Sequence, residues 1–320
     1  MTTAVHAGRS TTSRRAAWWW AHPAAAAATL AVLVWQLGTG PFVDGLRAVD
    51  GRALAAASGL AVLTTVCCAW RWRIVARGLG VELPLPTAVA AYYRSLFLNV
   101  TLPGGVVGDV HRGIRHGRDT SDVGRGLRAV AWERSAGQVV QLVLTVAVLL
   151  VLPSPVRATM PIVALAPIAA AAVAVLAMRV RPAAGPSRWA RTRRAAARDV
   201  RDALLASRAW APIALASALV VAGHAVTFLI AARTAGATAP ASQLLPLALL
   251  MLAAAALPNV GGWGPREGVT AWAFGAAGLG ASLGVATAVV YGVMVLVATL
   301  PGAAVLGLGI VVRREGAAHA

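Results

Sequence analysis

The chain contains no lysine, so all 29 of its basic residues are arginine. A phosphate-binding loop of the GxxxxGK[ST] type requires a lysine, so this common motif for nucleotide-driven transport is excluded. Cysteine is almost absent too, and its two copies, Cys67 and Cys68, are adjacent within an apolar run. Such a pair supports neither a disulfide framework nor a metal site, and no HExxH spacing occurs. We therefore expect no metal and no cofactor.

Charged residues are also scarce, at 12% of the chain, whereas 58% of the residues are hydrophobic. The apolar runs are about 18–25 residues long, which is the length that a membrane-spanning helix needs. They are continuous rather than alternating, which distinguishes them from the strands of a membrane β-barrel. The sequence therefore predicts an all-α integral membrane protein without a sizeable soluble domain.

The charge that is present is strongly biased, with 29 basic against 11 acidic residues and a formal net charge of +18. The arginines cluster between the apolar runs. Membrane topology and anionic lipid explain this distribution better than nucleic acid does, so no nucleic-acid partner is expected.

Six apolar segments are predicted to cross the membrane: Trp18–Leu37, Ala53–Trp70, Trp132–Leu152, Pro161–Met178, Trp210–Ala232 and Leu283–Val312. Residues 38–52 are predicted to form a loop. The arginine-rich segments, including Arg71–Arg77, Arg179–Arg208 and both termini, predict a cytoplasmic N-terminus and C-terminus. Within the second of these loops, Trp189–Leu205 has the pattern of an amphipathic surface helix, with a solvated linker as the alternative.

Two further apolar stretches are interrupted by proline and glycine, at Leu102–Gly113 (LPGGVVGDVHRG) and Leu257–Gly268 (LPNVGGWGPREG). Broken backbone hydrogen bonds are costly in a bilayer unless they are buried in protein or line a wet cavity. The arginine distribution is consistent with two re-entrant helical hairpins, the first entering from the cytoplasmic side and the second from the outer side. A short loop outside the membrane is the alternative interpretation of the second break.

The two interrupted stretches resemble each other, because each has Leu-Pro, a glycine cluster, an acid with an arginine, and a final glycine. An inverted-topology repeat would bring the two breaks together near the membrane midplane. Coincidence is the alternative in a chain with 32 glycines. The predicted break residues are Pro103, Gly104, Gly105, Gly108, Pro258, Gly261, Gly262, Gly264 and Pro265.

The candidate substrate-binding residues are Arg94, Asn99, Asp109, Arg112, Glu133, Arg134, Asn259, Trp263, Arg266 and Glu267. The arginines offer planar forks that suit a phosphate group. The carboxylates are expected to pair with these arginines, and the asparagines to satisfy backbone groups freed at the breaks. The tryptophan is expected either to form the wall of a lipid-sized cavity or to belong to an interfacial aromatic belt. A purely structural ion pair is the alternative for each charge.

Taken together, the motifs LFLNVTLPGGVVGDVHRG, AWERSAG and LPNVGGWGPREG resemble the flippase-like membrane domain of the lysylphosphatidylglycerol synthases, the membrane part of multiple peptide resistance factors. The resemblance covers roughly residues 20–312. It implies a bacterial inner-membrane protein that moves lipid, such as aminoacylated phosphatidylglycerol, between leaflets. The resemblance gives functional weight to Asn99, Pro103, Gly104, Gly105, Gly108, Asp109, Arg112, Glu133, Arg134, Gly264, Arg266 and Glu267.

The predicted organisation is a membrane domain at residues 18–312, which includes the basic loop 179–208, between cytoplasmic tails at 1–17 and 313–320. The full-length synthases also need a soluble aminoacyl-transferase domain of a few hundred residues. Because the sequence ends at Ala320, we expect no synthase activity.

The leading functional hypothesis is a flippase or scramblase for an anionic or aminoacylated phospholipid, or for another lipid-linked substrate. One alternative is a membrane-embedded enzyme with Glu133 or Glu267 and His111 or His116 as general acid and base. Two further alternatives are a transporter of small soluble anions and a non-transporting partner of a lipid- or envelope-synthesis enzyme. The formation of a homo-oligomer also stays possible on the sequence alone.

Overall fold

A computed structural model describes residues 26–102, 104–156, 196–204, 208–257, 259 and 262–308. These residues form helices and contain no β-strand. The predicted span Pro161–Met178, both tails, most of the basic loop and the break residues Pro103, Pro258 and Gly261 lie outside the described residues.

The first two helices, α1 (Ala26–Leu37) and α2 (Gly40–Ala48), are bent by 100° where they join. Helix α2 falls within residues 38–52, so the prediction of a loop there is wrong. A proline in its first turn starts the helix, where a missing N–H costs nothing. Gly45 then allows close packing, because a Cβ at this position would lie only 2.8 Å from the carbonyl oxygen of Ala286.

The remaining helices, in chain order, are α3 (Gly51–Gly78), α4 (Leu85–Thr101), α5 (Val107–Asp119), α6 (Val123–Val151), α7 (Trp210–Thr234), α8 (Ala241–Ala255), α9 (Pro265–Ala276) and α10 (Ala281–Thr299). By length and composition, α3, α6, α7 and the segment Ala281–Leu308 can each cross a membrane. The bent α1–α2 pair would make a fifth span. The all-α membrane class is confirmed, and the number of crossings stays a prediction.

Two of the long helices extend further than the apolar runs indicate. Helix α3 ends at Gly78 rather than at Trp70, so the segment Arg71–Arg77 is helical and the prediction of a loop is wrong. Helix α6 begins at Val123 rather than at Trp132, with the side chain of Asp122 accepting a hydrogen bond at its start. The extension of α3 carries the charged side chain of Arg71 into the bundle, whereas that of α6 buries Gly126, Ala129 and Val130.

Helices α4 and α5 form an antiparallel pair, here called the first hairpin (residues 85–119). The end of α4 meets the start of α5, where the Asn99 side-chain oxygen accepts a hydrogen bond from the N–H of Gly108 at 2.7 Å. The two backbones are in direct contact at Gly108, since a Cβ there would overlap the carbonyl oxygen of Ser95. Glycine at this position therefore sets the distance between the helices.

Helices α8 and α9 form the second hairpin (residues 241–276). The Gln243 side-chain amide near the start of α8 donates to the carbonyl of Ala277, just after the end of α9, at 3.2 Å. The two open ends of this hairpin are therefore together. Phe274 of α9 packs edge-on against Phe228 of α7, with ring centroids 6.2 Å apart.

The two hairpins enter the bundle from opposite ends. Helices α3 and α7 are antiparallel, because Arg71 near the end of α3 donates to Ser217 near the start of α7 at 2.9 Å. The first hairpin follows the end of α3 and the second follows the end of α7, so their open ends lie on opposite sides. Their tips meet inside the bundle, where the N–H of Gly104 donates to the carbonyl of Asn259 at 2.9 Å.

This contact confirms that the two breaks come together. The position of the second break inside the membrane, rather than in a loop outside it, stays a prediction. The order of elements also repeats, because each hairpin lies between two long helices along the chain. This order, with the opposite entry of the hairpins, is the arrangement that an inverted repeat requires.

The described part of the basic loop is a short helical segment, residues 196–204, which ends in a π-helix at Val200–Leu204. Asp199 in this segment accepts hydrogen bonds from Arg128 at 2.9 Å and from the Trp132 indole at 3.1 Å. The described residues of the predicted amphipathic helix therefore pack against the bundle instead of forming a solvated linker.

Candidate functional site

Glu133 lies at the centre of a buried group of charges. This residue of α6 is fully buried. Its Oε1 accepts hydrogen bonds from Arg71 Nε at 2.9 Å and from the Tyr92 hydroxyl at 2.8 Å, and Arg71 Nη2 also contacts it. Its Oε2 accepts from Arg112 Nη2 at 3.1 Å. Three helices besides α6 thus converge on one carboxylate.

Asp109, in the first turn of α5, holds a second set of contacts. Its Oδ1 accepts from Arg112 Nη2 at 2.9 Å and from the Ser95 hydroxyl at 3.1 Å. Its Oδ2 accepts from the Asn99 amide at 3.0 Å and lies 2.5 Å from Arg134 Nη2. Each oxygen of this carboxylate therefore has one arginine and one neutral donor.

Together these residues form what we call the charge cluster: Arg71, Asp109, Arg112, Glu133 and Arg134. Three arginines face two carboxylates, so the cluster carries a formal charge of +1 (3 − 2). The four buried members balance each other, and the net charge comes from Arg134, whose side chain is 40% exposed. Ionisable residues within membrane-spanning segments typically mark a substrate pathway.

Aromatic rings hold the most buried arginine of the cluster in place. The guanidinium carbon of Arg112 lies 4.0 Å from the centroid of the Tyr92 ring and 4.4 Å from that of Trp72. Such cation–π contacts stabilise a desolvated guanidinium by about 2 kcal/mol. Its Nε and Nη1 atoms have no hydrogen-bond partner among the described residues.

A cavity of about 390 Å³ lies where the hairpin tips meet, and we call it the tip cavity. Its polar lining comes from Arg134, Gln138, Gln141, His224, Asn259 and Tyr291. Gly104, Gly105 and apolar residues line the rest. Two of the apolar residues, Val106 and Leu257, are more than half exposed, at 55% and 53%. The cavity thus combines a polar wall with an apolar rim that faces outward.

A second cavity of about 490 Å³ lies at the open end of the first hairpin, and we call it the open-end cavity. Its charged and histidine residues are Glu82, Arg94, Arg112, Arg115, His116 and Asp119. Buried nitrogen atoms of Trp72 (Nε1) and His116 (Nε2), which also line it, have no hydrogen-bond partner among the described residues. This cavity therefore has an indole donor and an imidazole nitrogen that the described contacts leave unused.

The charge cluster separates the two cavities. Arg112 lines the open-end cavity and Arg134 lines the tip cavity, and Asp109 binds both arginines. One carboxylate therefore connects an arginine of each cavity.

Arg266 and Glu267, at the start of α9, form a separate buried pair. Arg266 Nε donates to Glu267 Oε1 at 2.8 Å, and Glu267 Oε2 accepts from the N–H of Gly264 at 2.7 Å. The guanidinium lies 5.4 Å from the Trp263 ring and 5.6 Å from the Tyr291 ring. Of these residues only Tyr291 lines the tip cavity. The Arg266–Glu267 pair therefore does not line the cavity itself and contacts it through Tyr291.

We predict that Gly292→Ala disturbs this pair. A Cβ at this position would lie 2.5 Å from Arg266 Nη2 and 3.4 Å from the Trp263 ring. Because the guanidinium is buried and bound to Glu267, its displacement should cost about 1–3 kcal/mol. Thermal unfolding in detergent measures this loss.

Gly307→Ala is the control, because a Cβ there would meet nothing within 4 Å. Equal midpoints of thermal unfolding for the two variants would contradict the prediction.

The structure gathers five of the ten candidate site residues around one centre, namely Asn99, Asp109, Arg112, Glu133 and Arg134. It distributes the four candidate arginines differently from the prediction of a single site. Arg134 lines the tip cavity, Arg94 and Arg112 line the open-end cavity, and Arg266 lies in the separate pair.

Other residues of the site were not predicted, among them Arg71, Tyr92, Ser95, Gln138, His224 and Tyr291. A signal for Arg71 was present, because Ala69, Trp72 and Ala76 continue the helical spacing of apolar residues beyond the predicted end of the span. The residue had been assigned to a basic loop. No group of three or more His, Cys, Asp or Glu side chains in the described part of the chain could hold a metal ion.

Fold and site define a multi-pass, all-helical membrane protein in which two opposed hairpins meet beside a buried charge cluster. The family described as lysylphosphatidylglycerol synthase TM region matches residues 19–302, and the chain belongs to this family. No curated protein matches the chain. The family places the chain among the membrane proteins of lipid and envelope biosynthesis.

Proposed function

We propose that the protein is a flippase or scramblase that moves a phospholipid with its headgroup passing through the bundle. The observation that carries this proposal is the tip cavity, where opposed hairpins meet and Arg134 stands on the polar wall. Broken helices that meet inside a membrane are the usual construction of a transport site. A guanidinium is also the side chain best suited to a phosphate group.

The lining of the cavity fits a lipid better than a small soluble anion. A lipid leaves its acyl chains in the bilayer while its headgroup enters the protein, so the site must open sideways through apolar residues. Exposed apolar side chains lie at the rim of the cavity, at Val106 and Leu257, and close to it in the chain, at Leu102 and Val110. The open-end cavity, with Arg94 and Arg115, would receive the headgroup from the other leaflet.

The contacts of the buried carboxylates favour transport over catalysis. Glu133 has a guanidinium on each oxygen, and Asp109 and Glu267 are bound by arginine as well. A carboxylate held in this way is a poor general acid or base. We place the protein in the bacterial inner membrane, with its arginine-rich ends in the cytoplasm.

We predict that Arg134→Gln reduces lipid movement strongly while the protein still folds. The guanidinium of Arg134 is partly exposed at the cavity wall, so its loss removes the headgroup contact without burying an unpaired charge. The rate of fluorescent phosphatidylglycerol transfer in proteoliposomes should fall about tenfold or more, since each 1.36 kcal/mol of barrier changes a rate tenfold.

Arg125→Gln is a matched control for this experiment. Arg125 lies on the same helix, and its side chain is 42% exposed against 40% for Arg134, but it pairs with Asp122 away from the tip cavity. If the two variants moved lipid at the same rate, the tip cavity would not be the transport site. Wild-type protein that moved no lipid would overturn the proposed function itself.

A further inference from the structure

We infer that the tip cavity accepts a phosphate headgroup that carries no ammonium group, so that the transported lipid is an unmodified anionic phospholipid rather than an aminoacylated one. This inference rests on the proposed transport function and specifies its substrate class. Two observations support it. No carboxylate in the described part of the chain lines the cavity, and the charge cluster has a net positive charge.

The tip cavity offers no anionic partner for an ammonium group. No carboxylate lines it in the described part of the chain. The residues of the two breaks that the structure does not describe are Pro103, Pro258, Val260 and Gly261, and none of these is acidic. An ammonium ion taken out of water is costly to bury unless it is paired with an opposite charge.

The buried carboxylates near the tip cavity are already paired with arginines. Asp109 contacts two arginines, Glu133 contacts two arginines and a tyrosine hydroxyl, and Glu267 contacts an arginine and a helix N-terminus. To bind an ammonium group, one of them would have to release an arginine. That exchange would leave a buried guanidinium without its partner, which is strongly unfavourable.

Charge balance leads to the same conclusion. The charge cluster has a formal charge of +1, and a phosphodiester brings −1, so a phosphatidylglycerol headgroup neutralises the site. A lysyl ester adds two ammonium groups, which makes the headgroup +1 and the loaded site +2. The repulsion between like charges is larger in a poorly hydrated interior than in water.

The neutral groups of the cavity suit the rest of such a headgroup. The amides of Gln138, Gln141 and Asn259 and the hydroxyl of Tyr291 supply donors and acceptors for phosphate oxygens and glycerol hydroxyls. They give hydrogen bonds without adding negative charge.

The test compares three fluorescent lipids in proteoliposomes containing the full chain: phosphatidylglycerol, lysylphosphatidylglycerol and phosphatidylcholine. We expect phosphatidylglycerol to move about tenfold faster than either ammonium-bearing lipid. Equal or faster movement of lysylphosphatidylglycerol would overturn the inference while the transport function stood. If none of the three lipids moved, the proposed function would fail and the inference with it. Release of entrapped inorganic phosphate without lipid movement would have the same consequence.

A charge-swap variant tests the inference within the cavity. Gln138 lies one helical turn after Arg134 on α6 and is exposed at the cavity, so Gln138→Glu adds the missing carboxylate without burying it. We expect the preference to shift by about tenfold toward lysylphosphatidylglycerol. Gln138→Leu, which changes the side chain without adding charge, should slow both lipids alike. An unchanged ratio in the Gln138→Glu variant, with phosphatidylglycerol still moving, would overturn the inference.

Discussion

Replacing Glu133 with glutamine is expected to cause the largest loss of stability of any single charge change in the protein. The substitution removes the carboxylate that Arg71 and Arg112 share and leaves both guanidinium groups buried. Breaking a buried ion pair from one side costs about 3–5 kcal/mol. We expect a large drop in the midpoint of thermal unfolding in detergent and a low yield of folded protein.

The control for this prediction is Asp122→Asn, which removes a carboxylate from an exposed ion pair but keeps a side chain that can cap α6. Its cost should be within about 1 kcal/mol. If Glu133→Gln folds too poorly to be measured, the double variant Arg71→Gln with Glu133→Gln should restore part of the yield, because one unpaired charge is removed. A midpoint for Glu133→Gln equal to that of the control would refute this account of the cluster.

The second large effect is expected from Gly108→Ala. A methyl group at this position would overlap the carbonyl oxygen of Ser95 in the adjacent helix, and a backbone atom cannot rotate away as a side chain can. The first hairpin must therefore open, which also lengthens the hydrogen bonds of Asn99 and Asp109. Overpacking typically costs about 1–3 kcal/mol, and we expect the upper end of this range.

Gly59→Ala in α3 is the matched control for this substitution, because a Cβ there would meet nothing within 4 Å. Alanine is the better helix former, so this variant should be neutral or slightly stabilised. The two midpoints of thermal unfolding, measured in the same detergent, decide the matter. Gly108→Ala with wild-type stability and wild-type lipid transfer would mean that the hairpin tolerates separation.

The hairpins and their meeting could be predicted from the sequence because their signal is local. Proline and glycine break apolar helices at Leu102–Gly113 and Leu257–Gly268, and the positions of the arginines constrain which side each hairpin enters from. The pairing of Asp109 and Glu133 with arginines was predictable as well, since a buried carboxylate has few other partners.

The division of the site into two cavities was not predictable in this way. It depends on how the faces of α4, α5 and α6 turn toward each other, and this follows from glycine contacts such as Gly108 against Ser95. A single sequence does not reveal which side of a helix a glycine presents. The helix α2 was missed for a related reason. Its Gly-Pro start and two glycines indicate a turn, whereas packing of Gly45 on α10 stabilises a helix.

The contact between the hairpin tips has a mechanical consequence. The described residues join the tips by one main-chain hydrogen bond, from Gly104 to Asn259, which contributes about 1 kcal/mol net. The first hairpin, by contrast, is tied to α6 by two ion pairs, that of Arg112 with Glu133 and that of Asp109 with Arg134. Among the described contacts, the tips are therefore joined by less polar bonding than the first hairpin and α6. A displacement of one tip from the other would break this one bond and leave the ion pairs between the first hairpin and α6 intact.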